Sequence, residues 1–150
     1  MDNNKITVVI NTFKSEDKIN QCIDSIGVEY KIIIVENSSN KKFKETLEKK
    51  YKNVECFLTG ENLGYAKGNN FGLSKVKSKY ALIINPDALV EKNAINNFFK
   101  SAEKIKDFSI IGPAKQDEYS NVNNDKNNNE IYEVNSIKGF AMFLNLKQFQ

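Results

Sequence analysis

A continuous apolar run that stops at a proline constrains the fold of this chain more than any other feature. Residues 80–84 read YALII, and Asn85-Pro86-Asp87 follows at once. A strand that is apolar at every position is typical of a parallel sheet covered by helices on both faces. Proline lacks the N–H for a ladder hydrogen bond, so the strand should end there and deliver Asp87 to the carboxyl edge of the sheet, where open α/β sheets bind ligands. Asn-Pro-Asp is also an ordinary turn sequence, so these residues alone leave both interpretations open.

Other apolar runs alternate with helical patterns along the chain. Strands are predicted at 5–10, 30–35, 54–58, 80–84 and 109–111, with β character again over 133–144. Ser15 is a plausible N-cap, Glu16 and Asp17 should open the first helix, and Gly27 should end it. This alternation predicts an α/β fold of three layers, α/β/α, with a mostly parallel central sheet.

Polar residues follow three of the predicted strands. They are Asn11-Thr12-Phe13, Glu36-Asn37 and Asn85-Pro86-Asp87. Because the carboxyl ends of parallel strands share one edge, we expect these tips to converge and to supply carboxylates, amides and backbone N–H groups to a single site.

Glycine and asparagine dominate residues 59–72, TGENLGYAKGNNFG. Gly64, Gly68 and Gly72 are four residues apart and would share one helix face, although glycine inside a helix costs about 1 kcal/mol relative to alanine. A face without side chains permits close approach of a ligand or of another backbone. Tight helix–strand packing is an equally good explanation for Gly72.

Length and hydropathy predict a single domain over residues 1–150, with residues 115–130 as a flexible, Asn-rich loop. No apolar run approaches the ~20 residues that span a bilayer. The polar start of the chain does not resemble a signal peptide. We therefore expect a cytoplasmic protein with no membrane segment in this chain, which leaves peripheral association with the inner face of the membrane open.

The composition excludes several kinds of chemistry. The chain has no His, and its 22 basic residues, all Lys, are dispersed, so a nucleic-acid partner is not expected. Without His, no Ser-His-Asp or Cys-His set is possible, and a metal would be held mainly by oxygens, which favours Mg²⁺ or Mn²⁺. Cys22 and Cys56 fall at apolar positions and are expected to be buried thiols.

The motifs GxxxxGK[ST] and GxGxxG are absent, which disfavours P-loop and dinucleotide-binding enzymes. A site for a metal-bound diphosphate remains. In it, Asp87 would hold the metal, and Glu36 would accept hydrogen bonds from a base or ribose.

Five segments, taken in order, resemble the N-terminal part of family 2 glycosyltransferases of the GT-A fold, close to the rhamnosyltransferase-like branch. They are ITVVINTF at 6–13, IIIVENSSN at 32–40, ENLGYAKGNNFG at 61–72, YALIINPDALV at 80–90 and KGFAMFL at 138–144. The resemblance implies transfer of a sugar, with inversion, from a nucleotide-diphosphate donor such as a UDP- or dTDP-sugar. The acceptor would be a hydroxyl of a glycan or of a lipid-linked molecule.

The resemblance also implies roles for individual residues. Thr12 and Phe13 would border the nucleotide, and Glu36, with Asn37 beside it, would contact the base or ribose. Gly64 and Asn70, in the stretch rich in Gly and Asn, would shape the donor pocket. Asp87 would contact the metal and the diphosphate in place of the family's DxD motif.

Two departures from the family pattern affect the expected chemistry. Glu36 stands where the family usually has Asp, and Asn85 replaces the first carboxylate of DxD. The family's catalytic base follows the GFAMFL-like strand, so it is expected beyond Gln150, and the chain is expected to be truncated at its C-terminus. Two alternatives remain open: a sugar-nucleotide nucleotidyltransferase, and a non-catalytic fragment that binds nucleotide sugars.

Overall fold

The structure is a computed structural model that describes residues 5–113, 131 and 133–149. Its strands are β1 (Ile6–Thr12), β2 (Lys31–Glu36), β3 (Val54–Leu58), β4 (Tyr80–Ile84), β5 (Ile110–Ile111) and β6 (Ala141–Asn145). The helices in these ranges are α1 (Ile19–Ile26), α2 (Lys41–Lys50), α3 (Gly64–Leu73) and α4 (Ala94–Ile105), followed by a 3-10 turn at Leu146–Phe149.

The strands form one six-stranded sheet in the order β3-β2-β1-β4-β6-β5. The first four strands in the chain are parallel, whereas β6 runs antiparallel to β4 and β5. The register pairs Thr12 with Glu36 and Ile10 with Ile84, so β1, β2 and β4 end at the same edge. The predicted α/β class and mostly parallel sheet are therefore confirmed.

Alternate residues of the central strands build two separate cores. Val8, Ile32 and Leu82 belong to the core that also contains the buried residues of α1, α2 and α4. Val9 and Ile33 belong to the core on the other face, against which the α3 residues Phe71 and Leu73 pack. The central strands are thus apolar on both faces because helices cover both, which explains their continuous apolar runs.

Several predicted boundaries were wrong: β1 continues to Thr12 instead of ending at residue 10, and the larger differences are at α1 and β6. Helix α1 begins at Ile19, because the Ser15 carbonyl accepts hydrogen bonds from the N–H groups of Lys18 and Ile19 and closes a turn before the helix. Glu16 therefore lies before the helix, and Ser15 contributes its backbone rather than a side-chain cap. Gly27 ends the helix as predicted, at φ +95°.

The β character predicted over residues 133–144 was also too extensive, since only Ala141–Asn145 pairs as a strand. The register of β6 against β4 runs from Ile84–Ala141 to Tyr80–Asn145, so pairing spans only the length of β4. The predicted flexible loop at 115–130 lies outside the described residues.

Both cysteines are buried, as predicted, and we expect them to be chemically inert in the native protein. Burial raises the pKa of Cys22 to about 12, with a further contribution from the charge of Asp87, and burial likewise raises the pKa of Cys56 to about 12. Because the thiolate is the reactive form, neither residue should react with a disulfide reagent at pH 8 until the protein unfolds. Thiol titration with and without urea measures this, and rapid labelling of either cysteine in the folded protein would contradict it.

Candidate functional site

The ends of β1 and β2 form the centre of the candidate site. The backbone N–H of Asn37 donates to the carbonyl of Thr12 at 2.8 Å, which extends the pairing of these strands beyond their last residues. Thr12, Glu36 and Asn37 are each only 2% exposed. Three polar side chains are thus buried side by side at the carboxyl edge of the sheet.

Glu36, the last residue of β2, is held by hydrogen bonds to its carboxyl group and to its backbone carbonyl. Its Oε1 accepts a hydrogen bond from Ser38 Oγ at 2.5 Å, and its carbonyl accepts from both the N–H and the hydroxyl of Thr59. Burial raises the pKa of Glu36 above its usual value; the Ser38 hydrogen bond opposes this shift, and the charge of Glu16 adds to it. The protein therefore keeps a buried, partly desolvated acceptor at this position.

Replacing Glu36 by glutamine should stabilise the protein more at pH 7 than at pH 4. The native carboxyl group has a raised pKa, so the folded state binds the proton more tightly than the unfolded chain does. Ionisation of Glu36 therefore lowers the free energy of unfolding as the pH rises from the unfolded pKa through the folded pKa. Glutamine removes this effect and can still accept from Ser38.

Urea unfolding of both proteins at pH 4 and pH 7 measures the difference. A stability gap between Glu36→Gln and the wild type that is constant with pH, or that is larger at pH 4, would contradict the raised pKa.

Three hydrogen bonds made by the backbone of Asn85 fix the turn that carries Asp87. The carbonyl of Asn85 accepts from the N–H of Ala88 at 3.1 Å and from Cys22 Sγ at 3.6 Å, and the N–H of Asn85 donates to the Phe140 carbonyl at 3.0 Å. The carboxylate of Asp87 is exposed and raises the pKa of the nearby Cys22 thiol. A carboxylate on a fixed turn at the edge of a sheet is accessible to a ligand.

The structure explains the three glycines of α3 in different ways. Gly64 has φ +74°, a backbone conformation that favours glycine, and the site is open around it. A Cβ at Gly68 would lie 2.5 Å from Asn11 Oδ1, and a Cβ at Gly72 would lie 2.6 Å from a methyl group of Val9. Gly72 is therefore a packing residue, whereas Gly68 makes room for a polar side chain.

Asn11, which was predicted as part of a strand tip but given no specific role, and Tyr65, which was not predicted, both contribute to this edge. Asn11 Nδ2 donates to the carbonyls of Gly64 and Tyr65, each at 3.1 Å. The Tyr65 hydroxyl donates to the carbonyl of Gly139, just before β6. The sequence placed Asn11 at a strand tip, but nothing in it indicated the contact with a helix more than 50 residues away.

Two buried oxygens at the strand tips have no hydrogen-bond partner among the described residues: Thr12 Oγ1 and Asn37 Oδ1. A buried polar atom without a partner costs about 1–3 kcal/mol, and such atoms in a native protein need an explanation such as water or a ligand. They occur next to Glu36, at the place where the sequence predicts nucleotide contacts.

Of the remaining predicted residues, Phe13 and Gly64 lie beside this edge, whereas Asn70 lies farther along α3 and lines a cavity together with Met142. Phe13 directly follows Thr12, is 42% exposed, and has Lys14 Nζ 5.3 Å from its ring centroid. Gly64 and Asn70 are exposed on α3. Strand register therefore brings Thr12, Glu36 and the Asp87 turn to one edge, and hydrogen bonds join α3 to it.

Within the described ranges, no three His, Cys, Asp or Glu side chains group closely enough to hold a metal ion by themselves. Asp87 would therefore hold Mg²⁺ or Mn²⁺ only together with further oxygens from a ligand such as a diphosphate. No helix in this part of the chain is long and apolar enough to cross a membrane.

A mostly parallel sheet in this order, with helices on both faces, matches the GT-A fold of solved glycosyltransferase structures. The model of the glycosyl transferase family 2 matches residues 7–149. The chain therefore belongs to glycosyl transferase family 2, and both the predicted family and the predicted GT-A fold are confirmed.

Individual relatives agree with this assignment. The chain is 26% identical over 112 residues to the low-salt glycan biosynthesis hexosyltransferase Agl10 of Haloferax volcanii, covering 72% of this chain and 36% of Agl10. Among solved structures, the mannosyltransferase PcManGT of Pyrobaculum calidifontis, in complex with GDP-Man and Mn²⁺, aligns with a TM-score of 0.70 at 14% identity, over 97% of this chain and 46% of that one. TarS 1-349 of S. aureus, in complex with UDP-GlcNAc, aligns with a TM-score of 0.57 at 19% identity, over 67% of this chain and 31% of that one. The chain spans about a third of the length of Agl10, and less than half of either structure.

Proposed function

We propose that this domain binds the nucleotide-diphospho-sugar donor of a glycosyltransferase that transfers the sugar, with inversion, to a hydroxyl of a glycan or lipid-linked acceptor. The observation that carries the proposal is the convergence of Thr12, Glu36 and the Asp87 turn at one edge of a mostly parallel sheet. Membership of family 2, and relatives named for hexosyl and mannosyl transfer, support it.

The nucleoside would lie at the ends of β1 and β2. Glu36 offers a carboxylate that accepts hydrogen bonds from N–H groups of a base or hydroxyls of a ribose, and Thr12 offers a hydroxyl that has no partner in the described structure. Phe13 presents an exposed ring beside them, which would border the base. Hydrogen bonds from the ligand favour the ionised form of Glu36, so donor binding should lower its raised pKa and weaken as the pH falls.

The diphosphate would lie between α3 and the Asp87 turn. The first turn of α3 carries the positive end of the helix dipole. The Gly64 N–H donates to Asn62 Oδ1, and the missing side chain at Gly64 leaves the turn open to a ligand. Asn70 is exposed on the same helix and would shape the donor pocket. Asn37 would hold Gly64 in position through the hydrogen bond that its side-chain amide donates to the Gly64 carbonyl.

Asp87 would hold a Mg²⁺ or Mn²⁺ ion together with diphosphate oxygens. The ion, when bound, neutralises the charge that develops on the departing diphosphate. Since Asp87 supplies one carboxylate, we expect the ion to bind with the donor rather than to the protein by itself. The catalytic base expected beyond Gln150 and the cytoplasmic location stay predictions.

Calorimetric titration of the domain with UDP, GDP, UDP-GlcNAc and GDP-Man, each with and without Mn²⁺, tests the proposal, with ATP as a control nucleotide. We expect saturable binding of at least one nucleotide diphosphate, and a weaker complex in Thr12→Val and Glu36→Gln. Failure of every nucleoside diphosphate and nucleotide sugar to bind the folded domain would overturn the proposal. Release of pyrophosphate from a nucleoside triphosphate would instead favour a nucleotidyltransferase.

A further inference from the structure

Two asparagine side chains connect the ends of β1 and β2 to the first turn of α3. Asn11 Nδ2 donates to the carbonyls of Gly64 and Tyr65, and Asn37 Nδ2 donates to Asn11 Oδ1 at 2.6 Å and to the Gly64 carbonyl at 3.4 Å. We call Asn11 and Asn37 the amide clasp. It ties α3 to the paired strands β1 and β2, which matters because α3 is not part of the hydrogen-bonded ladder.

Amide side chains suit this role because each carries two N–H donors and one carbonyl acceptor. The Nδ2 group of Asn37 donates both to Asn11 and to the first residue of α3. Asn11 accepts from Asn37 and donates to two successive carbonyls of α3. A hydroxyl or an aliphatic side chain could not make these contacts at once.

Helix α3 buries less apolar surface than α1, so its position depends more on the hydrogen bonds of the clasp. Its buried residues are Gly68, Asn69 and Gly72, whereas α1 buries three isoleucines and a cysteine. Two glycines contribute little apolar area, so packing alone constrains the start of α3 weakly. Gly68 has no side chain where Asn11 passes, and a Cβ there would lie 2.5–2.7 Å from the amide atoms of Asn11.

We infer that Asn11 and Asn37 are positioning residues of the donor site, which set the first turn of α3 against Thr12 and Glu36. This inference rests on the proposed function, because the turn that the clasp fixes is the one proposed to face the diphosphate. Loss of Asn11 frees this turn without removing any group that contacts the donor in the proposal, whereas loss of Asn37 also removes a buried Oδ1 that has no partner among the described residues. The affinity then falls because the backbone N–H groups must be ordered when the ligand binds.

The test combines hydrogen exchange of the ligand-free domain with nucleotide titration. Asn11→Ala and Asn37→Ala should speed exchange of the amides in the first turns of α3, and should weaken binding of the best nucleotide by about tenfold, as expected when groups that orient a ligand site are lost. Asn11→Asp is a second variant that keeps the size and the acceptor of Asn11 but removes its donors. It should have the same two effects.

Matched controls separate positioning from general stability. Asn53 Nδ2 donates to the carbonyls of Gly27 and Tyr30 at the opposite edge of the sheet, so Asn53→Ala removes a similar amide contact away from the site. Gly68→Ala forces Asn11 aside, whereas Gly72→Ala in the same helix meets only valine side chains. We expect Gly68→Ala to weaken nucleotide binding, and Asn53→Ala and Gly72→Ala to change the unfolding midpoint without changing the affinity.

The two possible failures give different results. If the clasp variants resemble Asn53→Ala, with reduced stability but unchanged affinity and unchanged exchange in α3, the inference is wrong while the proposed function stands. If the wild type binds no nucleotide although the clasp variants loosen α3, the proposed function fails and the clasp has only a structural role.

Discussion

Asp87→Asn should abolish the gain in donor affinity that we expect Mn²⁺ to give the wild type. Asp87 is the carboxylate proposed to hold the ion, and its exposed position on an anchored turn leaves it free for a ligand. Replacement of groups around a metal ion commonly costs 10–100-fold in metal affinity, so the loss at a direct ligand should be about tenfold or more. Nucleotide binding without Mn²⁺ should change little. Calorimetric titration of Asp87→Asn with and without the ion separates the two quantities.

Asp24→Asn is the matched control for this experiment, because it removes the same charge from an exposed residue of α1 that lies beside Tyr51, near the start of β3 and away from the site. It should leave the effect of Mn²⁺ intact. Equal Mn²⁺ enhancement in Asp87→Asn and the wild type would remove Asp87 from the proposed metal site. Asp87→Asn should also bring the pKa of Cys22 closer to its ordinary value, since the nearby negative charge is lost.

Replacing Phe143 by alanine should produce the largest loss of stability among the substitutions considered. Phe143 is fully buried in β6, and its ring lies 5.1 Å from Tyr80, 5.5 Å from Phe98 and 6.1 Å from Phe108, measured between centroids. Truncation of a buried phenylalanine costs about 3–5 kcal/mol, a large part of the 5–15 kcal/mol typical of a domain. Urea unfolding measures the change.

Phe149→Ala is the control for this substitution, since Phe149 is 54% exposed in the turn after β6, and its loss should change the free energy of unfolding by less than about 0.5 kcal/mol. Because Phe143 joins β6 to β4 and α4, Phe143→Ala should also expose the Asn85–Phe140 hydrogen bond to exchange. A loss below about 1 kcal/mol would mean that β6 is not an integral part of the domain in solution.

The proposed site illustrates how an ordinary α/β sheet supports a specific chemistry. Strand register places the carboxyl ends of β1, β2 and β4 together, and the residue types at those ends then decide what the edge can bind. In this chain they are a buried carboxyl group with a raised pKa, an exposed carboxylate and a set of amides. In the proposed function, these groups would bind a hydrogen-bonding base and, through a divalent ion at Asp87, a charged diphosphate.

Several parts of the fold and the site followed from local sequence patterns. The apolar run at 80–84 predicted a central strand, and Pro86 predicted where it ends, because both depend on properties of adjacent residues. The same reasoning placed Glu36 at the end of the second strand and Gly27 at the end of α1. The predicted start of α1 was wrong because the Ser15 carbonyl accepts hydrogen bonds in a local turn that precedes the helix.

The sequence by itself determined the order of strands and helices, the buried character of the central strands and the chemical types at their ends. Each of these depends on side chains that are neighbours in the chain. Only the tertiary structure decided the antiparallel direction of β6, the desolvation of Glu36 and the contact of Asn11 with α3, 53 residues away. Periodicity carries no information about the direction of a strand, and the burial of a carboxyl group or the partner of an amide depends on which distant segments pack against it.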